Sequence, residues 1–244
     1  MFKFTRILAI FSAVLLSQAA ISADDSADTQ IHYMGFNSFG ADKAASGKAF
    51  DAYIVKLRPI MARYGVTGDP YSVVYGGKGE LKADVVTFGT AKDQASFQAF
   101  FQDPELQAIF PMLIGALNDH QVVFTAHSFA PGPERAGANV LLSVNWLKGD
   151  TAEATMAVQA LTEKASAIFS KYGVERLGKT VGVYSNRGLA AEIEDTVPPH
   201  LVELWAMKDA HGYFDDPVSL ATEKEAKSLI TRSESFWITE RKIN

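Results

Sequence analysis

From Ile31 to Phe39 apolar residues alternate loosely with polar ones and stop at Gly40, a two-residue period that predicts a strand. Lys43 to Tyr64 obeys a different rule. Phe50, Tyr53, Ile54, Leu57, Ile60 and Met61 recur three and four apart, the stripe of a helix, and Gly65 stands where a helix usually stops. Tyr71–Tyr75 and Asp84–Phe88 are β-rich runs separated by the turn Gly76-Gly77-Lys78-Gly79. Asp93–Phe101 and Glu105–Leu117 read as helices broken at Pro104, and Gln121–Ser128 as a strand. A linker rich in Pro and Gly spans 129–138. The pattern then restarts: strand Asn139–Leu147, helix Thr151–Tyr172, strands Thr180–Ser185 and Leu201–Ala206, helix Ala221–Ile230 and strand Ser235–Arg241.

The restart is visible in the letters too. Arg63-Tyr64-Gly65-Val66 returns as Lys171-Tyr172-Gly173-Val174, and Phe36-Asn37 as Val144-Asn145, both 108 positions on. Phe100-Phe101-Gln102-Asp103-Pro104 returns as Tyr213-Phe214-Asp215-Asp216-Pro217 after 113 positions. Three landmarks in one order predict a tandem duplication. Each copy reads β-α-β-β-α-β, the split βαβ or ferredoxin-like arrangement, so the fold class expected is α+β. Helices cover one face of such a sheet. In the second copy Val140, Leu142, Val144 and Trp146 line one side of a strand and Leu141, Ser143, Asn145 and Leu147 the other, and neither side suits water. Packing the two bare sheet faces together buries both, which predicts one closed barrel formed within a single chain. The units expected are 31–128 and 139–244.

The first 23 residues read as a secretory signal peptide: Lys3 and Arg6, a ten-residue apolar run from Ile7 to Leu16, then small residues up to Ala23. The run is too short for a membrane span, which needs about 20 apolar residues. An acidic flexible stretch, 24–30, follows, and the mature chain is expected in the periplasm or outside the cell. Taking Lys3 and Arg6 from the 23 basic residues leaves 21 against 28 acidic ones, a net charge of −7. Without a basic cluster, nucleic acid is not an expected partner. The absence of cysteine excludes disulfides, thiol nucleophiles and thiolate-held metals. A small molecule is the expected partner, and no cofactor is called for.

Tyr172-Gly173-Val174, together with Val202-Glu203-Leu204-Trp205 leading to Phe214-Asp215-Asp216-Pro217, resembles the DUF1330-type group of the dimeric α/β-barrel superfamily, and Phe100–Leu106 fits the same pattern. Val144–Glu153 resembles the first strand and helix start of antibiotic-biosynthesis-monooxygenase domains. The resemblance implies a barrel that two chains usually build, here made internally as a pseudo-dimer in a monomer. It implies oxygenase chemistry without metal or flavin on an aromatic substrate held between sheet and helices. It also implies roles for a first-strand Asn, matched by Asn37 and Asn145, and for a third-strand Trp, matched by Trp205. Haem-degrading members need an axial His after the third strand. Ser96–Phe110 has none, and His211 precedes Asp216-Pro217, so haem degradation is not expected.

Asn37 and Asn145 are the leading catalytic candidates, since an amide on an apolar strand must be hydrogen-bonded or used. The plainer alternative is a bond to a neighbouring strand. His127 joins them as a proton carrier, because β pairing of the first and last strands would bring it near His32. Trp146, Trp205, Tyr75, Tyr184 and His32 are candidate ligand contacts, with core or strand-end packing as the alternative. No serine-hydrolase elbow, phosphate loop, dinucleotide fingerprint or zinc-protease motif occurs. The expectation is an exported protein that binds a small apolar or aromatic molecule, with cofactor-independent oxygenase or isomerase chemistry favoured over hydrolysis. The competing reading is a non-catalytic binding, structural or stress protein.

Overall fold

The computed structural model describes residues 30–76, 79–125, 139–149, 151–181, 184–188 and 199–243. The expected signal peptide, the expected linker 129–138 and His127 lie outside these residues. Strands β1 (Ile31–Phe39), β2 (Val66–Gly76), β3 (Val85–Ala91) and β4 (Leu117–Thr125) enclose helices α1 (Lys43–Arg63), α2 (Gln94–Gln102) and α3 (Pro104–Ala116) in chain order. Then come β5 (Asn139–Leu147), α4 (Thr151–Ala165), a 3₁₀ turn (Ser166–Ile168) and α5 (Phe169–Tyr172). β6 (Val174–Val181), β7 (Tyr184–Gly188), β8 (Leu201–Met207), α6 (Ala210–Asp215), α7 (Pro217–Ala226) and β9 (Ile230–Glu240) complete the fold.

The nine strands among the described residues belong to one antiparallel sheet in the order β6-β8-β5-β9-β2-β3-β1-β4-β7. Laid flat, nine strands would span about 38 Å. Yet the two edge strands are consecutive, with two residues between Val181 and Tyr184, a reach of about 11 Å. The sheet therefore has to curl until its edges adjoin, and the result is a barrel. β2 performs the same crossing at the opposite side: Val66–Ser72 pairs with β3 and Tyr71–Gly76 with β9, through a register shift between Val73 and Tyr75.

Strand alternation gives the barrel an inside and an outside. Met34, Phe36, Val86, Leu142, Val144, Leu204 and Phe236 point inward from both halves into one apolar cluster, with Phe36 and Phe236 rings 5.4 Å apart. The interior is a packed core, as in small barrels generally. Outside, α1 and α3 pack together over the first half and seal a single continuous cluster from Ile31 to Phe124. In the second half the covering layer is split. Leu141, Val174, Trp205 and Met207 form one cluster, and Leu147, Ala154, Val158 and Leu201 another. No helix among the described residues is long and apolar enough to cross a membrane.

Aspartates start the helices. Asp42, Asp93, Asp103, Asp209 and Asp216 each accept a hydrogen bond from a backbone N–H in the first turn, satisfying donors that the helix itself cannot. Several sequence-based boundaries shift. The helix expected over Thr151–Tyr172 breaks at a 3₁₀ turn where Ser166 Oγ donates to Glu163 O (2.6 Å), a side chain competing with the helix backbone. The strand expected at Thr180–Ser185 is two strands, because the chain leaves β8 there and joins β4. The helix expected over Ala221–Ile230 begins earlier, at Pro217, and ends at Ala226; Ile230 already belongs to β9. α6 was not anticipated. β2 starts at Val66 rather than Tyr71 and β4 at Leu117 rather than Gln121, both long enough to bridge neighbours on two sides.

Candidate functional site

On β1 the residues facing the helices are Ile31, Tyr33, Gly35, Asn37 and Phe39. Asn37 is buried, and its cross-strand neighbour on β4 is His120. Asn37 Oδ1 and His120 Nδ1 lie 2.8 Å apart. Asn37 Nδ2 points at three acceptors, Gly35 O (3.3 Å), Val85 O (3.4 Å) and Thr87 Oγ1 (3.4 Å). That environment fixes the amide orientation, and an amide oxygen only accepts, so His120 donates from Nδ1. In a neutral imidazole the lone pair then sits on Nε2. No hydrogen bond reaches Nε2 among the described residues, and His120 keeps part of its surface open. Burial pushes the imidazole pKa down to about 4, against the smaller opposing pull of the Asp119 carboxylate. Near neutral pH the ring is an uncharged, accessible proton acceptor, held by its other nitrogen.

Glycines make room for this arrangement. A Cβ at Gly35 would press on His120 Cε1 at 3.4 Å, and one at Gly89 would overlap the Tyr33 ring. Tyr33 thus lies flat across Gly89, donates its hydroxyl to Thr67 O (2.7 Å) and packs on Phe97. Burial raises the pKa of Tyr33 and of Tyr53 beyond the ordinary phenol value, so both stay protonated donors. Tyr33, Thr87 and His120 stand on the covered face yet retain accessible surface.

The second half pairs its strands in the same register but fills it differently. Asn145 meets Ser233 where Asn37 meets His120; Ser143 and Glu203 face each other as Gly35 and Thr87 do; Trp205 occupies the place of Gly89. Asn145 Oδ1 accepts from Ser233 Oγ (2.7 Å), and its Nδ2 donates to Ser143 Oγ (3.0 Å). Here the asparagine is tied to strand neighbours by hydroxyls that no base replaces.

The remaining candidates separate. Trp205 belongs to the outer cluster of the second half, with Phe169 edge-on at 5.6 Å. Trp146 faces the barrel interior, with the Arg232 guanidinium 4.1 Å from its ring, so it does not share a cleft with Trp205. His32 is buried on the inward face of β1, opposite Thr90 and Thr125, and so is turned away from Asn37. Tyr75 is 64% exposed on β2 beside Trp237, so its ring stands outside the barrel rather than lining it. His127 and the Tyr184 side chain lie outside the described residues. Sequence reasoning passed over His120 and Glu203. His120 could have been found by sliding β4 antiparallel along β1 until it met Asn37, and Glu203 as the one charge in the apolar run from Leu201 to Met207.

Among the described residues no group of three His, Asp or Glu could hold a metal ion. On the helices where the resemblance would put an axial histidine, residues 96–110 carry none, and His211 is exposed on α6.

No family model matches this chain, and no curated protein matches it in sequence. Solved structures resemble it in fold. An anthrone oxidase-like protein superposes with a TM-score of 0.56 at 12% identity, covering 87% of this chain and 92% of its own. A monooxygenase candidate from Fusobacterium nucleatum gives 0.51 at 11%, with coverage of 90% and 95%. A variant chlorite dismutase from Candidatus Nitrospira defluvii gives 0.51 at 10%, with coverage of 88% and 93%. The chain therefore has the α+β barrel fold of the dimeric α/β-barrel proteins, a fold shared by monooxygenase-type neighbours.

Proposed function

We propose that this is an exported, monomeric small-molecule-binding barrel in which a duplicated ferredoxin-like unit has kept a working site in its first half only. The observation that carries the reading is the Asn37–His120 pair, a neutral base with a fixed tautomer in one half and no counterpart in the other. Its ligand is an apolar or aromatic compound with an acidic C–H or O–H. His120 Nε2 takes that proton, and Asn37 Oδ1 steadies the resulting imidazolium through Nδ1–H. The surrounding Tyr33 and Phe97 supply an apolar wall. A carbanion formed this way can react directly with dioxygen, which needs no resident cofactor. The fold shared with an anthrone oxidase-like protein supports a tricyclic aromatic as the first probe. Anthrone plus O₂ gives anthraquinone plus water.

The test is anthrone conversion under air, followed by absorbance, with ligand binding measured in parallel. The reading expects accelerated conversion that His120→Ala removes and Asn37→Ala weakens. Binding without turnover would favour the non-catalytic reading, for which the hydroxyl-satisfied Asn145 already speaks in the second half. Neither binding nor turnover would remove anthrone-like compounds from consideration.

A further inference from the structure

Glu203 stands in the middle of β8, on the helix-facing side, 6% exposed. No hydrogen bond reaches its carboxylate among the described residues. Arg176 Nη1 is 3.7 Å from Oε1, an ion pair too long for a hydrogen bond, and the Arg176 side chain is 36% exposed. Lys179, opposite Glu203 in register, instead donates to Gln159 Oε1 on α4 (3.0 Å). Burial raises the Glu203 pKa against the opposing pull of the Arg176 and Lys179 charges.

The surroundings suit a guest. Glu203 lies in the gap between the two separate apolar clusters of the second half. The Trp205 ring flanks the gap, and the Arg176 guanidinium already hovers 5.8 Å from the centre of that ring. Ser233 and Ser235 on β9 are exposed on the same side, and Val122, the first-half match of Ser235, is sealed under helices. The covering helices are shorter here: α6 and α7 have 6 and 10 residues, against 9 and 13 in α2 and α3.

We propose that this second-half cleft is a separate binding site for an organic amine bearing an aromatic or apolar group, with Glu203 as its carboxylate anchor and Trp205 as its wall. Arg176 acts as an internal stand-in for the ligand cation and swings outward when the amine enters. A cation over an indole face beside a carboxylate is favourable on both counts. The site is independent of His120, so either can fail alone.

Calorimetric titration with 2-phenylethylamine and its neutral analogue 2-phenylethanol tests this. Wild type should prefer the amine by about tenfold or more, the size of a charge-assisted hydrogen bond. Glu203→Gln, nearly isosteric, should lose that preference while keeping the wild-type melting temperature. Arg176→Ala should bind the amine more tightly, since the competitor is gone. Equal binding of the two probes by wild type, a preference that survives Glu203→Gln, or weaker amine binding by Arg176→Ala would each overturn the proposal.

Discussion

Asn37 Oδ1 and His120 Nδ1 approach to 2.8 Å across the first and last strands of one half, whereas Asn145 Oδ1 at the matching place accepts from the Ser233 hydroxyl. Histidine against serine at this register position gives the first half an uncharged imidazole where the second has a hydroxyl, and the flanking pairs differ as well, Gly35 and Thr87 against Ser143 and Glu203. The two asparagines share burial, strand position and the face they occupy.

His120 makes stability depend on pH in a definite direction. Its pKa falls from an ordinary 6.5 to about 4 on folding, so the unfolded chain binds the proton more readily. The contribution is complete above about pH 6.5 and lost as pH falls through about 4, amounting to about 2 kcal/mol once partial exposure is allowed for. Denaturant melts of wild type should weaken across that window, and those of His120→Asn should weaken less.

The sequence landmarks that recur in the two halves are contact partners. Tyr64 Oη donates to Asp103 Oδ2 and Tyr172 Oη to Asp216 Oδ2, both at 2.8 Å, while Arg63 and Lys171 pair with the same carboxylates. These bonds hold both aspartate pKa values at about 2. Each aspartate also caps the helix that its proline begins, so removing it breaks more than removing the phenol. Asp103→Ala and Asp216→Ala should each lower the melting temperature by several degrees, and Tyr64→Phe and Tyr172→Phe by less. Thermal melts that show a drop in one half and none in the other would refute this parallel.

This junction shows what was legible in the chain. The Arg/Lys-Tyr-Gly-Val and Asp-Pro motifs could be seen to repeat because they serve the same local junction twice. The strand-helix order and the two-faced apolar strands followed from periodicity. The crossing of β6 into β7 could not, since no local pattern marks where a strand changes partner. The site was half visible. Asn37 stood out as a polar residue on an apolar strand, but His120 acquires its meaning from cross-strand register, which a linear reading supplies only after the pairing is known. Tyr75 looked like a cavity residue by its aromatic character, and its place on the outward turn of β2 exposes it.

Internal closure of the sheet predicts a monomer. Light scattering at micromolar concentration should give the mass of one chain, and an obligate dimer would contradict the closure. Phe236→Ala should cost about 3–5 kcal/mol in denaturant melts, because the cavity opens in a core that both halves share. A single unfolding transition should persist, since neither half retains a core of its own inside the barrel.

The most direct measurement is the ¹⁵N imidazole spectrum of His120 followed through pH, with and without 2-naphthol as an aromatic hydroxyl probe. Protonated Nδ1, bare Nε2, titration near 4 and a shift of Nε2 on probe binding that Asn37→Ala abolishes are the results predicted. Titration near the ordinary 6.5, or binding of the probe that leaves the His120 ring unmoved, would contradict the account.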